Sequence, residues 1–140
     1  MDNVIEVYEV GARNDDVDPF KMIQRISTIE PDEKQRAAAS GIEFSPDGNH
    51  LFVTNAGINT VIIYDVDKET GVLTPLFHCK TSGDYPKAVA VMPDNKHFIV
   101  LSHETDEIFI YNMNYEDCYF LQDSRPIKIE QPNCIFIHKL

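Results

Sequence analysis

The sequence predicts an all-β protein built from repeated four-stranded antiparallel sheets. Residues 41–67 read GIEFSPDGNHLFVTNAGINTVIIYDVD, and residues 88–114 read AVAVMPDNKHFIVLSHETDEIFIYNMN. The two segments align without a gap at a shift of 47 residues, and six of their positions are identical. A fixed period of this length indicates a solenoid or propeller architecture. Apolar strands come first in each unit and more polar strands last, which is typical of a β-propeller blade that runs from hub to rim.

The elements of the first complete unit follow in order. The apolar strand GIEF leads into the turn PDG, whose Asp and Gly adopt the backbone angles of a tight hairpin. A second strand, HLFV, is joined by a polar loop to a third, TVIIYDV. The fourth strand, VLTPLFHCK, is more polar. Continuous apolar runs indicate strands that are buried on both faces, whereas alternation indicates one face in water.

Partial copies of the unit flank the two complete ones. NVIEVYEV places Tyr8 where the first unit has Tyr64, and PNCIFI from Pro132 matches PKAVAV from Pro86. With strands lettered a to d from hub to rim, the chain reads c-d, a-b-c-d, a-b-c-d, a.

One partial propeller domain is therefore expected over residues 1–140. Its approximate blades are 1–35, 36–82 and 83–130, followed by a closing strand at 131–140. Propellers need about four to eight blades, so we expect open flanks and a half-exposed hub. The closing strand would pair with an N-terminal segment that this chain does not contain.

Composition restricts the class of protein. The chain has 140 residues, a hydrophobic content of 43% and a formal net charge of −11. This charge argues against nucleic acid or an anionic membrane as a partner. The cysteines, Cys79, Cys118 and Cys134, are odd in number and widely spaced, so neither a disulfide framework nor a zinc site is favoured. The acidic N-terminus lacks the pattern of a secretory signal, and we expect a cytoplasmic protein.

Several stretches carry a family likeness. SPDGNHLFVTNAG, IYDVDKETGVLTPL, GDYPKAVAVMPDNKHFIV and QPNCIFI resemble the lactonase family of seven-bladed propellers, which includes the 6-phosphogluconolactonase-like proteins. The resemblance is in register from NVIEVYEV to the end of the chain. It implies the C-terminal part of the fold, about three of seven blades. It also implies hydrolysis of a sugar-phosphate lactone in carbohydrate metabolism.

The resemblance also implies where the active-site residues should fall. The Glu and His of the family pattern E-I-H-x-S-P-D-G fall on Gly41 and Glu43, and the Arg of N-R-G falls on Ala56. A further Arg, from F-P-R, falls on Lys87, which keeps the charge but lacks the bidentate fork. Lactone hydrolysis needs a base for water and a donor for the oxyanion. The signature is therefore degraded.

The remaining candidates are polar residues near the hub. Glu43 is the candidate catalytic base, with a structural or solvated carboxylate as the alternative. The candidate ligand-binding residues are Lys87, Arg36, Asn55, His103 and Glu104. The alternative for this set is ordinary charged loop tips. The histidines have no HxH or HxxxH spacing, so no metal is predicted, and no cofactor is predicted.

Some recurring residues are expected to be structural. His50 and His97 occupy equivalent positions just after a turn, which indicates a turn hydrogen bond. Tyr8, Tyr64 and Tyr111 also recur, which indicates packing between blades rather than ligand stacking.

Three readings of function stay open on the sequence alone. The chain is a piece of a lactone-hydrolysing propeller that needs further blades, or a non-catalytic propeller module that binds a partner protein or a small polar ligand. The third reading is that the chain is a fragment, and this reading is compatible with both of the others. Unpaired strand edges predict self-association or pairing with missing N-terminal blades.

Overall fold

The computed structural model describes residues 3–11, 19–33 and 37–138. These residues form eleven β-strands and no helix, and thus contain no helix able to cross a membrane. The strands are β1 (Val4–Val10), β2 (Phe20–Ser27), β3 (Ala38–Phe44), β4 (His50–Ala56), β5 (Thr60–Val66), β6 (Leu73–Lys80), β7 (Pro86–Val91), β8 (His97–Ser102), β9 (Glu107–Asn114), β10 (Tyr119–Gln122) and β11 (Ile127–Lys128).

The strands form three sheets in which all the pairs are antiparallel. The first contains β1 and β2, and the second has the order β3-β4-β5-β6. The third has the order β10-β9-β8-β7, and β11 also pairs with β9. The outer position of the third sheet is therefore shared by two short strands, which are separated by a segment containing Pro126. Proline has no N–H to donate to a ladder. The predicted all-β fold with antiparallel four-stranded blades is confirmed.

Two apolar cores lie between neighbouring sheets. Adjacent residues of β4 contribute to different cores, because successive side chains of a strand point to opposite faces. Leu51 and Val53 pack with Tyr64 in a cluster that also contacts β1 and β2. Phe52 packs with Phe98 in a cluster shared with the third sheet. The middle strands are thus buried on both faces, as their continuous apolar runs predict.

Three of the five recurring histidines and tyrosines have the predicted structural roles, whereas the His50 side chain contacts the paired strand instead of its turn and Tyr8 is exposed. His97 Nδ1 lies 2.6 Å from Asp94 Oδ2 in the preceding turn, and His50 Nε2 lies 3.3 Å from Asp65 Oδ1 on the paired strand. Tyr64 and Tyr111 are buried in the cores. Tyr8 is wrongly predicted as a packing residue, since it is 42% exposed. In the described structure β1 has no strand on the side where β5 has β4.

The last segment forms no strand in its described part. Residues 131–138 follow β11 without a ladder partner. They are anchored at one end, because Gln131 N donates to Asp106 Oδ1 at 2.9 Å and Pro132 is buried. The sequence predicts a closing strand here but places its partner outside the chain, and a strand without a partner has no ladder to complete.

Candidate functional site

The candidate site lies along β3 and β7, the inner strands of the two four-stranded sheets. These strands lie side by side: Ser40 Oγ donates a hydrogen bond to the carbonyl oxygen of Pro86. Ser40 Oγ also lies 3.2 Å from the carbonyl oxygen of Thr54 and 3.1 Å from Thr54 Oγ1. Ser40 is not among the candidate residues predicted from the sequence. Its place three residues before Glu43 on the same inner strand is the signal that could have identified it.

Gly41 permits this close approach of the two strands. A Cβ atom at this position would lie 2.8 Å from Thr54 Oγ1, 3.0 Å from Ala88 Cα and 3.2 Å from Val89 N. The last two are backbone atoms, which cannot move aside as a flexible side chain can. The resemblance places the family Glu at this position. The family carboxylate is thus missing at Gly41, and the backbone of β7 occupies the space that its Cβ atom would need.

Ala56 is equally closed to a long side chain. It ends β4 and is only 1% exposed. The Arg that the family carries at this position has no counterpart here, and a guanidinium at so buried a position would need a paired anion. Two of the three residues in the family signature thus fall on packed, apolar positions.

Lys87, His103 and Glu104 lie at one end of the inner strands. The backbone holds their loops together: His103 N donates to Tyr85 O at 3.0 Å, and Glu104 N donates to Asp84 O at 3.3 Å. Lys87 directly follows Pro86, the residue that pairs with Ser102 at the end of β8. The structure thus brings these three predicted ligand-binding residues to the same end of the third sheet.

The side chain of His103 has a defined orientation. Its Nδ1 donates to the carbonyl oxygen of Pro132 at 3.3 Å, and its Nε2 lies 4.0 Å from Glu104 Oε1. The His103 side chain is 17% exposed. The ring of Tyr85 lies 6.3 Å from the His103 ring, centroid to centroid. An oriented imidazole and a phenol ring therefore lie at this end of the inner strands, where Lys87 is the second residue of β7.

Tyr85 is a further candidate residue at this end, and sequence reasoning missed it. Its φ is 58°, in the left-handed region that bulky residues rarely adopt. Two side-chain oxygens stabilise this backbone conformation. Tyr85 N donates to the carboxamide oxygen Asn59 Oδ1 and to the carboxylate oxygen Asp84 Oδ1, both at 3.0 Å. Such backbone strain is frequent at functional sites. The signal in the sequence was the bulky residue between an acidic turn and a proline in Gly83-Asp84-Tyr85-Pro86.

Glu43 lies apart from this group. It is exposed and borders a cavity of about 350 Å³ whose other lining is apolar, from Phe44, Ala90, Val91, Ile135 and Phe136 among others. Gly41 lies beside Ala88 and Val89 of β7. Glu43, two residues after Gly41, therefore lies beside Ala90 and Val91, which border the same cavity. At about 3.3 Å per residue, Glu43 is roughly 10 Å from the level of Lys87.

Asn55 does not join the group. Asn55 is fully buried, and its Nδ2 donates to Thr28 O at 2.7 Å and to Thr60 Oγ1 at 3.3 Å. Its Oδ1 accepts from Thr28 Oγ1 at 2.9 Å. Asn55 was predicted to bind ligand, but its side chain is closed to solvent and connects two sheets through these hydrogen bonds. Arg36 lies outside the described residues.

The described part of the chain offers no ready metal centre. No group of three or more His, Cys, Asp or Glu side chains within it is arranged to hold an ion. The three cysteines are free, with Cys118 and Cys134 exposed. Burial, together with the nearby Cys118, raises the pKa of Cys79 and disfavours its thiolate.

Comparisons with known proteins agree with the fold. A sequence model for lactonases with a seven-bladed β-propeller matches residues 1–137. The 6-phosphogluconolactonase of Bacillus subtilis is 22% identical over 122 residues, which cover 86% of this chain and 35% of that protein. The 6-phosphogluconolactonase of Formosa agariphila is 29% identical over 80 residues, which cover 56% and 23% of the two chains.

Solved structures lead to the same fold. The periplasmic gluconolactonase of Pseudomonas aeruginosa superimposes with a TM-score of 0.80 at 18% identity, covering 95% of this chain and 36% of that one. A protein from Lactobacillus plantarum gives a TM-score of 0.78 at 22% identity, covering 93% and 37%. The predicted resemblance is confirmed, and the chain spans about a third or less of the length of its curated relatives.

Proposed function

Because the chain belongs to the lactonase family of seven-bladed β-propellers, we propose that it is a part of such a propeller that binds a sugar-phosphate lactone or the related sugar acid. The ligand lies at the end of the hub bordered by Lys87, His103 and Tyr85. The observation that carries the proposal is the backbone pairing of His103 N with Tyr85 O at 3.0 Å, which brings these side chains to one end of the inner strands.

The chemistry of these groups suits an anionic, polyhydroxylated ligand. Lys87 supplies an ammonium for a phosphate or carboxylate, although only as a point charge. His103 uses Nδ1 to bind Pro132, so its Nε2 is directed elsewhere and can accept from a hydroxyl. The relatives named 6-phosphogluconolactonase supply the substrate class of the proposal.

Hydrolysis by this chain alone is not part of the proposal. A positioned base contributes roughly 10²–10⁴ in rate and one oxyanion donor roughly 10²–10³. The family base and cation positions are Gly41, where an added Cβ would meet Thr54 and Ala88, and Ala56, which is buried. We therefore propose binding without efficient turnover. A cytoplasmic location, with three free cysteines, is part of the same proposal.

The second candidate function is hydrolysis with Glu43 as the base. It is supported by the names of the relatives and by the exposure of Glu43. The offset of roughly 10 Å from Lys87 along β7 opposes it, since a base must reach the water beside the bound lactone. A sugar phosphate held by Lys87 would have to extend down the hub to meet Glu43.

The test is an NMR titration of the 140-residue chain with 6-phosphogluconate, a stable sugar acid phosphate. We expect chemical-shift changes at His103 and around Lys87, and at least a tenfold loss of affinity in Lys87→Ala. Lys96→Ala is the matched control, because Lys96 is in the turn at the other end of β7 and should leave affinity unchanged. Equal effects of the two variants, or no shift changes at all, would remove the proposal.

A rate assay separates the two candidates. Acid release from 6-phosphogluconolactone is followed above its spontaneous rate, with the chain alone. We expect no increase. An increase that is lost in Glu43→Gln and kept in Glu43→Asp would replace the binding proposal with the hydrolytic one.

A further inference from the structure

Three residues with a left-handed backbone conformation recur at equivalent places in the described structure. Each directly precedes the third strand of its unit, so that they stand before β1, β5 and β9. They are Asn3, Asn59 and Asp106, with φ values of 46°, 55° and 56°. Asn and Asp adopt this region more readily than other residues that carry a side chain. We call these three the bridging residues.

The backbone of each bridging residue binds the end of an outer strand. In each case its carbonyl oxygen accepts a hydrogen bond from the N–H of the first residue after that strand. The donors follow β2, β6 and β11, and they are Thr28 at 2.9 Å, Thr81 at 2.8 Å and Ile129 at 3.0 Å. The two threonine hydroxyls donate to the same carbonyl oxygens, at 3.1 Å and 3.2 Å.

The side chain of each bridging residue binds the beginning of the next inner segment. Its Oδ1 accepts from a backbone N–H, and the donors are Ala39 at 3.0 Å, Tyr85 at 3.0 Å and Gln131 at 2.9 Å. Ala39 belongs to β3, and Tyr85 directly precedes β7. One residue therefore fixes the connection between an outer strand and the inner segment that follows it.

The choice between Asn and Asp follows from the surroundings of the side chain. Asn59 Nδ2 donates to Asp84 Oδ1 at 2.7 Å, and Asn3 Nδ2 donates to Ala37 O at 3.0 Å. A carboxamide can donate and accept, whereas an ionised carboxylate only accepts. The contact of Asp106 with the next inner segment needs an acceptor alone, so a carboxylate suffices there.

Asn59 is the bridging residue whose contacts lead to the proposed ligand. It lies between β4 and β5 of the second sheet and supplies one of the two side-chain oxygens that bind Tyr85 N. The carbonyl oxygen of Tyr85 in turn accepts from His103 N at 3.0 Å, and Lys87 follows two residues later in β7. The φ of Tyr85 is 58°, which bulky residues rarely adopt, so this conformation depends on the groups that bind it.

We propose that Asn59 is a positioning residue for the sugar phosphate that the proposed function places beside Lys87, His103 and Tyr85. Its side chain holds Tyr85 in the left-handed conformation, and this conformation sets the direction in which the chain enters β7. The ligand then meets a fixed arrangement of groups, so less conformational freedom is lost on binding. The inference rests on the proposed function and adds a residue that acts through Tyr85 without contacting the ligand.

The test compares Asn59→Gly with Asn3→Gly, the matched change at another bridging residue. Glycine keeps the left-handed backbone and removes only the side chain. We expect Asn59→Gly to speed hydrogen exchange of the Tyr85 N–H at least tenfold and to weaken 6-phosphogluconate binding at least fivefold. Asn3→Gly should lower the midpoint of urea denaturation, because Asn3 is 7% exposed and loses two hydrogen bonds, and should leave the affinity unchanged. The pair thus separates a loss of stability from a loss of positioning.

An exchange of two side chains tests the contact itself. Asn59→Asp places a second carboxylate beside Asp84 and should weaken binding at least fivefold. Adding Asp84→Asn restores one donor, one acceptor and the original charge of the pair. The double variant should therefore bind 6-phosphogluconate within twofold of the parent chain.

The outcomes distinguish the ligand site from its positioning residue. If the parent binds, an Asn59→Gly chain with parental affinity overturns the inference and leaves the proposed function intact, and so does a double variant as weak as Asn59→Asp. A parent chain that does not bind 6-phosphogluconate would remove the proposed function. Asn59 is then judged by the exchange rate of the Tyr85 N–H, and an unchanged rate in Asn59→Gly would overturn its role.

Discussion

The hydroxyl of Tyr64 donates a 2.6 Å hydrogen bond to the carbonyl oxygen of Ser27, across the boundary between the second and first sheets. The residue 47 positions later, Tyr111, has the corresponding role at the next boundary, where its hydroxyl accepts from Ser82 N at 2.7 Å. Both rings are buried. Each tyrosine thus fills an apolar core with its ring and fastens the preceding sheet with its hydroxyl.

Replacing Tyr64 with Phe should destabilise the chain by about 1 kcal/mol, because the ring packing is kept and one hydrogen bond is lost. The midpoint of urea denaturation measures this loss. Tyr111→Phe should cost a similar amount, since it leaves Ser82 N without its acceptor. Tyr119→Phe is the control: Tyr119 is 43% exposed, and its change should stay within about 0.5 kcal/mol. Equal effects at all three positions would contradict the fastening role.

Gly41→Ala should destabilise the chain by about 1–3 kcal/mol, the usual cost of overpacking. The added Cβ would lie 3.0 Å from Ala88 Cα, so β3 and β7 would have to separate. Gly11→Ala is a suitable control, since its Cβ would meet only Pro19 O, at 3.9 Å. Denaturation midpoints of the two variants give the comparison.

Gly41→Glu tests whether restoring the family carboxylate restores chemistry. We expect lower stability than in Gly41→Ala and no lactone hydrolysis, because the backbone of β7 occupies the space beside the Cα atom of Gly41. A stable Gly41→Glu variant that hydrolyses 6-phosphogluconolactone would show that β7 can move aside, and that the loss of one carboxylate alone removed the activity.

The sheets could be predicted from the sequence because their determinants are local. The turns PDG and PDN and the apolar runs around them specify hairpins over a few residues. The pairing of His50 with Asp65 and of His97 with Asn112 follows from those same hairpins.

The candidate site was less predictable because it depends on contacts between sheets. The loss of the family Glu was visible at Gly41, but the presence of Ala88 beside it was not. The separation of Glu43 from Lys87 could have been found. At the shift of 47 residues Glu43 aligns with Ala90, three positions after Lys87 on the equivalent strand.

Asn55 shows the same limit and leads to another prediction. Its amide was predicted to bind ligand, but it binds Thr28 and Thr60 inside the protein. Asn55→Ala should therefore destabilise the chain by about 2–3 kcal/mol, because Thr28 O and Thr28 Oγ1 lose a buried partner. Ser102→Ala, 47 positions later, removes only one 3.2 Å bond to Ser82 O and should cost about 1 kcal/mol. Loss of 6-phosphogluconate binding in Asn55→Ala without loss of stability would restore the ligand-binding reading.

The turn before β8 should show a distinct acid titration. The side-chain hydrogen bond with His97, followed by the backbone N–H of Lys96, lowers the pKa of Asp94 to about 2. The ordinary value for an aspartate is about 3.9. Because the folded-state pKa is the lower one, ionised Asp94 stabilises the fold above about pH 4, and this contribution is lost as the pH falls toward 2. The side chain is 45% exposed, so the effect on stability should stay below about 1 kcal/mol.

The NMR titration of the Asp94 carboxyl carbon measures this pKa directly. We expect a midpoint near pH 2 in the parent chain and a midpoint closer to the ordinary value in His97→Ala, since the 2.6 Å contact between His97 Nδ1 and Asp94 Oδ2 is then absent. The backbone donors of Lys96 and His97, at 2.8 Å and 3.0 Å, remain in that variant and should keep part of the shift. An unchanged midpoint would assign the low pKa to the backbone of the turn, and the recurring histidine would then act through its packing and its contact with Asn112 alone.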